Sequence, residues 1–419
     1  MNINLLGSTS RVETPFIIAT IGGYTFGSYS KETKNIIVNN KSYKSIVTQF
    51  PNYMQSINIV KINGALNTYT LNMRYTIREG DDPNLLEKVF SSISNDRSIK
   101  LSYGDLSLPT FIYKEEECII TDIKSNFDIS SSSINYTINC ISKALTLNAG
   151  KFNFPKRIDK PSNIIKEILY NVKYGLLDIF YGMRDKDLII SKGLIAGDDK
   201  TVTIEAKKQI SILDYLKYLV DCMLSVSDPI TSIYKSSEYS LTITDDTSGI
   251  FGGPYFKINK VSSNLKSINS LDIYEVDIGY PGKDLVLGFS IDDNETYSIL
   301  YNYTNKIEQS EYVYRINNEG DIDYIYSPNI TTSSNLMKTT QADRSWWSQV
   351  TQYPIKATLT LKGLLRPAIL MSYVKINTLF FGRKHLSSGY YIITKQTDTI
   401  DASGYKTILN LVRIQGDDV

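Results

Sequence analysis

His385 is the only histidine in a chain of 419 residues, set in Phe381-Gly382-Arg383-Lys384-His385-Leu386-Ser387-Ser388-Gly389. A Ser/His/Asp or Cys/His nucleophile would have to work through it. Its surroundings read instead as a turn between strands. Three cysteines, Cys118, Cys140 and Cys222, have neither a zinc-site spacing nor the numbers for a disulfide framework. Carboxylates cluster in Lys114-Glu115-Glu116-Glu117 and in the pairs Asp198-Asp199, Asp245-Asp246 and Asp292-Asp293. Paired carboxylates could hydrolyse a glycoside. Neighbours on a strand point to opposite faces, however, so these pairs read as solvated turns. Gly193 to Thr201 has the glycines of a phosphate loop, but Asp198 and Asp199 stand where Gly-Lys is needed and would repel phosphate. Gly249 to Tyr255 is a tight turn before a strand, with no helix to hold a phosphate. Trp346-Trp347 could anchor a partner, or split into one core and one exposed ring. The expectation is a protein with no catalytic, cofactor-binding or metal-ligating residues, and not an enzyme.

The elements that would have to position any site are mostly strands. Tyr alone occurs 31 times, with many Ile, Thr and Ser, a composition suited to sheet surfaces and interfaces. The 45 basic and 44 acidic residues leave a net charge of +1, which argues against a dedicated nucleic-acid binder. Neither a signal-peptide pattern nor a membrane-length apolar run is present, so the expectation is a soluble chain made in the cytosol with reduced thiols.

Four segments are expected along the chain. Residues 1–142 read as a β-barrel unit. In it Leu71, Met73, Tyr75 and Ile77 alternate with Thr70, Asn72, Arg74 and Thr76, and a helix capped by Asp82 runs to Ile93. Residues 143–228 form an α/β segment. Its first helix is capped by Ser162, with Glu167 in support and a stripe of Ile164, Ile165, Ile168, Leu169 and Val172. The second helix carries Ile212, Leu213, Leu216, Leu219, Val220 and Met223. Residues 229–352 form a β-rich connection. Residues 353–419 supply strands that complete a second barrel, where Ala357, Leu359 and Leu361 alternate with Lys356, Thr358 and Thr360.

The first and last segments end alike. Ile119-Ile120-Thr121 and Ile392-Ile393-Thr394 each lead, seven residues after the Thr, to an Asp (Asp128, Asp401) and a small polar turn. The two threonines lie 273 residues apart (394 minus 121). A strand–strands–hairpin series is thus present twice, and only the helix ending at Ile93 lacks a counterpart.

The C-terminal stretch narrows the class. The strand at Tyr353 to Gly363, then Leu365 to Ile376, then Ser388 to Ile414 resemble the end of the baseplate hub proteins of phage tails and related contractile injection machines. The resemblance runs through Gly363, Pro367, Gly389, Tyr390, Gly404, Tyr405, Thr407, Leu411 and Arg413; Gln396 stands where the family often has His. Ser56 to Ile141 resembles the tail-tube unit that opens such hubs, and the middle corresponds by position only. The resemblance implies a mainly β fold with an α+β middle: two tail-tube-like β-barrel domains joined by α/β and β-rich segments. It also implies a virion protein at the tail baseplate, a homotrimer whose six barrels form a ring. That ring caps a hexameric tail tube protein, seats a trimeric central spike protein, touches other baseplate proteins and passes DNA through its channel. No cofactor and no membrane are involved. The rival readings are a glycan- or surface-binding β-protein and a tail-associated cell-wall hydrolase.

A turn needing positive φ at Gly404 has a measurable consequence. Gly404→Val should lower the melting temperature, through about 1–2 kcal/mol of backbone strain, more than Ser403→Ala does. Equal melting temperatures would remove that turn assignment.

Overall fold

The computed structural model describes residues 15–28, 36–38, 41–43, 53–93, 97–105, 113–148, 150–174, 199–223, 239–245, 255–260, 273–279, 286–293, 312–316, 322–326, 355–363, 370, 373–385 and 387–416. The fold is mainly β. One sheet of fourteen strands dominates the described residues. Its strands are β1 (Pro15–Ile21), β2 (Tyr24–Gly27), β3 (Met54–Ile62), β4 (Thr68–Thr76), β5 (Ser98–Asp105), β6 (Tyr113–Asp128) and β7 (Ser133–Ser142). After the middle segment come β8 (Ile273–Ile278), β9 (Val286–Asp293), β10 (Ile355–Lys362), β11 (Tyr373–Phe380), β12 (Arg383–Lys384), β13 (Gly389–Asp401) and β14 (Gly404–Gly416). The hydrogen-bonded order is β9-β10-β14-β13-β3-β4-β7-β6-β5-β1-β2, with β11 also on β13, and β8 and β12 on β11.

The order contains the same path twice. In the first unit β3-β4-β7-β6-β5 are antiparallel neighbours; in the second the path is β9-β10-β14-β13-β11. The ladders match residue by residue. Leu71 faces Ile138 as Leu359 faces Leu409, and Thr70 faces Asn139 as Thr358 faces Asn410. Two of the irregularities repeat as well, while a third, between Tyr390 and Tyr391 of β13, has no counterpart in β6. Register slips between Met54 and Ser56 against β4, and between Val286 and Gly288 against β10. It slips again between Ile120 and Asp122, and between Ile393 and Lys395. The omitted residues are the repeated threonines, and each closes its bulge in the same way. Thr121 Oγ1 donates to the Asn139 carbonyl (3.0 Å) and Thr394 Oγ1 to the Asn410 carbonyl (3.2 Å). Bulges bend and twist a strand at a set place, so two units with the same bulges curve alike. They diverge at the sixth strand, where β1 is antiparallel to β5 but β8 is parallel to β11.

Strands at Ile273–Ile278 and Val286–Asp293, in the 229–352 connection by sequence, hydrogen-bond into the second unit. The hairpin Tyr239–Thr244 with Tyr255–Lys260 packs instead on helices α2 (Pro161–Tyr174) and α3 (Ile212–Asp221), sharing a core of Ile164, Leu213, Leu216, Leu241 and Phe256. Ser211 caps α3, accepting from the Asp214 N–H at 3.1 Å. Ser162 does not cap α2, because the helix already begins at Pro161. Its N–H and Oγ donate to the buried Asp199 carboxylate (2.9 and 2.6 Å). Helix α1 (Leu85–Ser92) starts three residues after Asp82, whose carboxylate accepts from the Asn84 N–H and pairs with Lys88. No helix among the described residues is long and apolar enough to cross a membrane.

Two of the resemblance residues, Gly363 and Tyr405, meet directly. A Cβ on Gly363 would lie 2.2 Å from the Tyr405 ring, and the Gly363 N–H donates to the Tyr405 carbonyl at 2.8 Å. Gly404 has φ +119° with open space around it, so conformation and not packing demands glycine there. Arg413 donates to the Ser388 carbonyl, and Thr407 Oγ1 to Asp398 Oδ1 (2.6 Å). Gln396 donates to the same carboxylate through Nε2 (2.6 Å). Pro367 lies outside the described residues. Since a planar ring cannot yield to a methyl group along its face, Gly363→Ala should cost about 1–3 kcal/mol or more. Chemical denaturation would register that loss, and an unchanged midpoint would disprove the contact.

Candidate functional site

Among the described residues, those that could bear chemistry do not converge. His385 directly follows β12, with Nδ1 2.8 Å from Ser387 Oγ and its ring edge-on to Phe380. Asp199 and Asp245 are buried acceptors, not the solvated turn residues expected from the sequence. Asp245 takes hydrogen bonds from Ser142 Oγ (2.6 Å), Asn67 Nδ2 (2.7 Å) and the Tyr69 hydroxyl (3.0 Å). It thereby ties the hairpin of the middle segment to the first unit. Burial raises its pKa to about 6, with the Glu116 charge adding to the rise and the three donors opposing it. Asp292 and Asp293 are successive residues of β9. Trp346-Trp347, Gly193 to Asp198 and Gly249 to Pro254 lie outside the described residues.

What the fold does assemble is a junction. Strand β13 is shared between the units: Gly389 to Ile392 pairs with β11, and Lys395 to Ile400 pairs with β3 of the first unit. The change of partner falls on the Thr394 bulge, whose carbonyl accepts from the Asn63 N–H at 3.1 Å. Strand alternation then gives the junction two faces. On the dry face Ile400 and Tyr405 enter the core of the first unit, where the Tyr405 ring meets Tyr103 edge-on at 6.3 Å.

The same dry face carries charge. Lys61, on the apolar side of β3 with Ile57 and Ile59, forms an ion pair with the fully buried Glu116 of β6. The Tyr103 hydroxyl donates to the same Glu116 oxygen at 2.8 Å. Strands β4 and β7 separate β3 from β6 in the sheet, so this pair reaches across a curled interior. Burial alone would lower the Lys61 pKa; the charges of Glu116, Asp398 and Asp245 outweigh it, and the ammonium is held above its usual range. The hydroxyls of Tyr69, Tyr103 and Tyr405 are pushed well above theirs, first by burial and then by neighbouring carboxylates. These tyrosines are therefore neutral donors.

The wet face carries a row of hydroxyls and amides linked across strands. Asn72 Nδ2 donates to Ser56 Oγ (2.8 Å), Thr137 Oγ1 to Asn72 Oδ1 (3.1 Å) and Thr70 Oγ1 to Asn139 Oδ1 (3.3 Å). Thr399 Oγ1 carries the row across the junction to Asn58 Oδ1 (3.2 Å). These uncharged side chains satisfy one another, while Arg74, Lys124, Lys356 and Lys406 put charge on the same face.

No protein-family model matches the sequence, and neither does any curated protein. Solved structures do resemble it. The 43 kDa tail protein of prophage MuSo2 from Shewanella oneidensis aligns at TM-score 0.48 and 12% identity, over 96% of this chain and 100% of that one. A tail protein from Neisseria meningitidis MC58 aligns at 0.49 and 8%, over 96% and 97%. The c3393 protein of E. coli aligns at 0.47 and 9%, over 86% and 74%; it is a type VI secretion component described as similar to T4 bacteriophage tail proteins gp27 and gp5. These neighbours are phage tail and secretion-machine proteins.

Sequence reasoning missed Lys61, Glu116, Gln396 and Asp398 as a group. The signal was present: each polar side chain stands on the apolar parity of an alternating strand, where burial demands a partner. Lys61→Met should therefore destabilise the fold by about 3–5 kcal/mol by stranding a buried carboxylate. Adding Glu116→Gln, which removes the charge and keeps an acceptor for Tyr103, should recover part of the loss in urea unfolding. A double variant no better than the single one would refute the coupling.

Proposed function

We propose that the chain is a baseplate hub subunit of a phage tail or related contractile injection machine. Three copies form a ring of six similar units. The ring adapts a hexameric tail tube to a trimeric central spike, meets other baseplate proteins, and its wet face lines part of the channel through which DNA passes. The role is structural and needs no catalytic group, in the virion, after synthesis in the host cytoplasm.

The observation that carries this reading is the repeat in register. Two units with one strand path and the same two bulges are joined edge to edge by β13 on β3. A ring of such units meets a sixfold partner with two equivalent edges per chain while keeping true threefold symmetry. The junction buries Ile400 and Tyr405 in the neighbouring core, so association by more of the same contact is favoured by apolar burial.

Light scattering on the purified chain tests the assembly. The expected mass is three times the 47.4 kDa of one chain. A monomer at all accessible concentrations, or a mass with no threefold multiple, would refute the trimeric hub.

A further inference from the structure

Among the described residues the junction between β13 and β3 has an unfilled counterpart at two places, the outer edge of β9 at one end of the sheet and the far half of β6, beyond the reach of β5. Superposing the repeats by their ladders places Thr121 on Thr394, so Asp122 to Asp128 corresponds to Lys395 to Asp401. The second of these stretches is covered by β3. Among the described residues the first has a ladder only to β7, because β5 pairs β6 no further than Ile119. The same superposition, through the bulges against β4 and β10, places β9 on β3, with Phe289 on Ile57 and Ser290 on Asn58. Strand β3 has β13 on its outer side; β9 ends the sheet, paired only with β10 among the described residues.

The side chains on these two edges suit an absent neighbour. Ile400 is 3% exposed in the core of the first unit, yet Phe127 at the matching position is 62% exposed. On β9 Ile291, which matches the fully buried Ile59, is also exposed, as is Leu287 beside the bulge. An open strand edge with apolar side chains is a template for another chain.

We propose that the outer edge of β6 at Ile123 to Phe127 pairs antiparallel with the outer edge of β9 at Phe289 to Asp293 of a second copy of this chain. Copying the register of β13 on β3 fixes the contacts. Ile400 opposite Ile57 becomes Phe127 opposite Phe289, an aromatic pair on the dry face. Thr399 opposite Asn58 becomes Asn126 opposite Ser290 on the wet face, again a pair of short polar residues. Thr397 opposite Val60 becomes Lys124 opposite position 292. Lys124 lies 3.6 Å from Asp122 of its own strand; both are exposed, so that contact is weak and exchangeable. The pairing is head-to-tail, with different patches on the two copies, and it continues the ladder that already joins the units within one chain. Such a contact closes a ring when its rotation divides the circle. The inference deepens the hub reading and rests on it only for the number of copies.

Cysteine cross-linking tests the register directly. In a Cys222→Ser background, Asn126→Cys with Ser290→Cys should give covalent multimers on mild oxidation, ending at the closed ring. Asn126→Cys with Leu287→Cys, out of register, should give far less. Phe127→Lys should convert the assembly to monomers while leaving the monomer's melting temperature near wild type, since Phe127 is exposed within one chain. A trimer that neither cross-links through positions 126 and 290 nor responds to Phe127→Lys would overturn this interface and leave the hub reading standing. In-register cross-links that close at a number other than three would uphold the interface and refute the trimer. Monomers without cross-links would end both.

Discussion

Strand β13 cannot serve two neighbours along its whole length, and the structure is organised around the place where it changes from one to the other. Before Thr394 it belongs to the second unit and lies beside β11; after Thr394 it lies beside β3 of the first. The bulge makes this possible. An extra residue lets the strand bend while β14 stays paired on the other side, and the threonine hydroxyl satisfies the Asn410 carbonyl where the ladder is interrupted. The tip of the hairpin then reaches the other core, carrying Ile400 and Tyr405 with it.

Charge and burial reinforce that junction. Polar groups placed inside a β interior are costly unless each is paired, and here they are paired with one another. Lys61 meets Glu116 across the curled sheet, Tyr103 donates to the same carboxylate, and Asp398 is held by Thr407 and Gln396. A pair of this kind contributes little net stability compared with apolar residues of the same size. It fixes which strands face each other, because any slip of β3 or β6 by one residue would strand a charge. The Asp245 cluster does the same for the middle segment, anchoring its hairpin to Asn67, Tyr69 and Ser142.

The hairpin turns show how a repeat tolerates change. Asp128 and Asp401 both hold their turns by accepting from serine N–H and hydroxyl groups, and both carboxyls are lowered by those bonds, Asp128 to about 2. The first turn is two residues longer, from Ile129 to Ser132 against Ala402 and Ser403. Turn length varies on the solvent side of the bulge without disturbing the ladder below it.

Local pattern was legible because it is written in neighbouring residues. Alternation of Leu71, Met73 and Tyr75 against Thr70, Asn72 and Arg74 gave a half-buried strand, and the glycine at 404 marked a positive-φ turn. The Ile-Ile-Thr repeat pointed to a duplicated hairpin, since the bulge needs the same hydroxyl in both copies. Other features depend on contacts between distant residues and left no local trace. Ser162 looked like a cap until Asp199 took its donors, and Asp245 looked solvated until three donors enclosed it. Residues 273–278 and 286–293 carry strand patterns that fit a connection as well as a barrel; only pairing with β11 and β10 assigns them. Whether β13 closes its own unit or bridges to the first is likewise absent from its sequence, because an alternating strand offers the same backbone donors and acceptors to any neighbour. Shape decided it: the curvature set by the bulges brought β3 alongside.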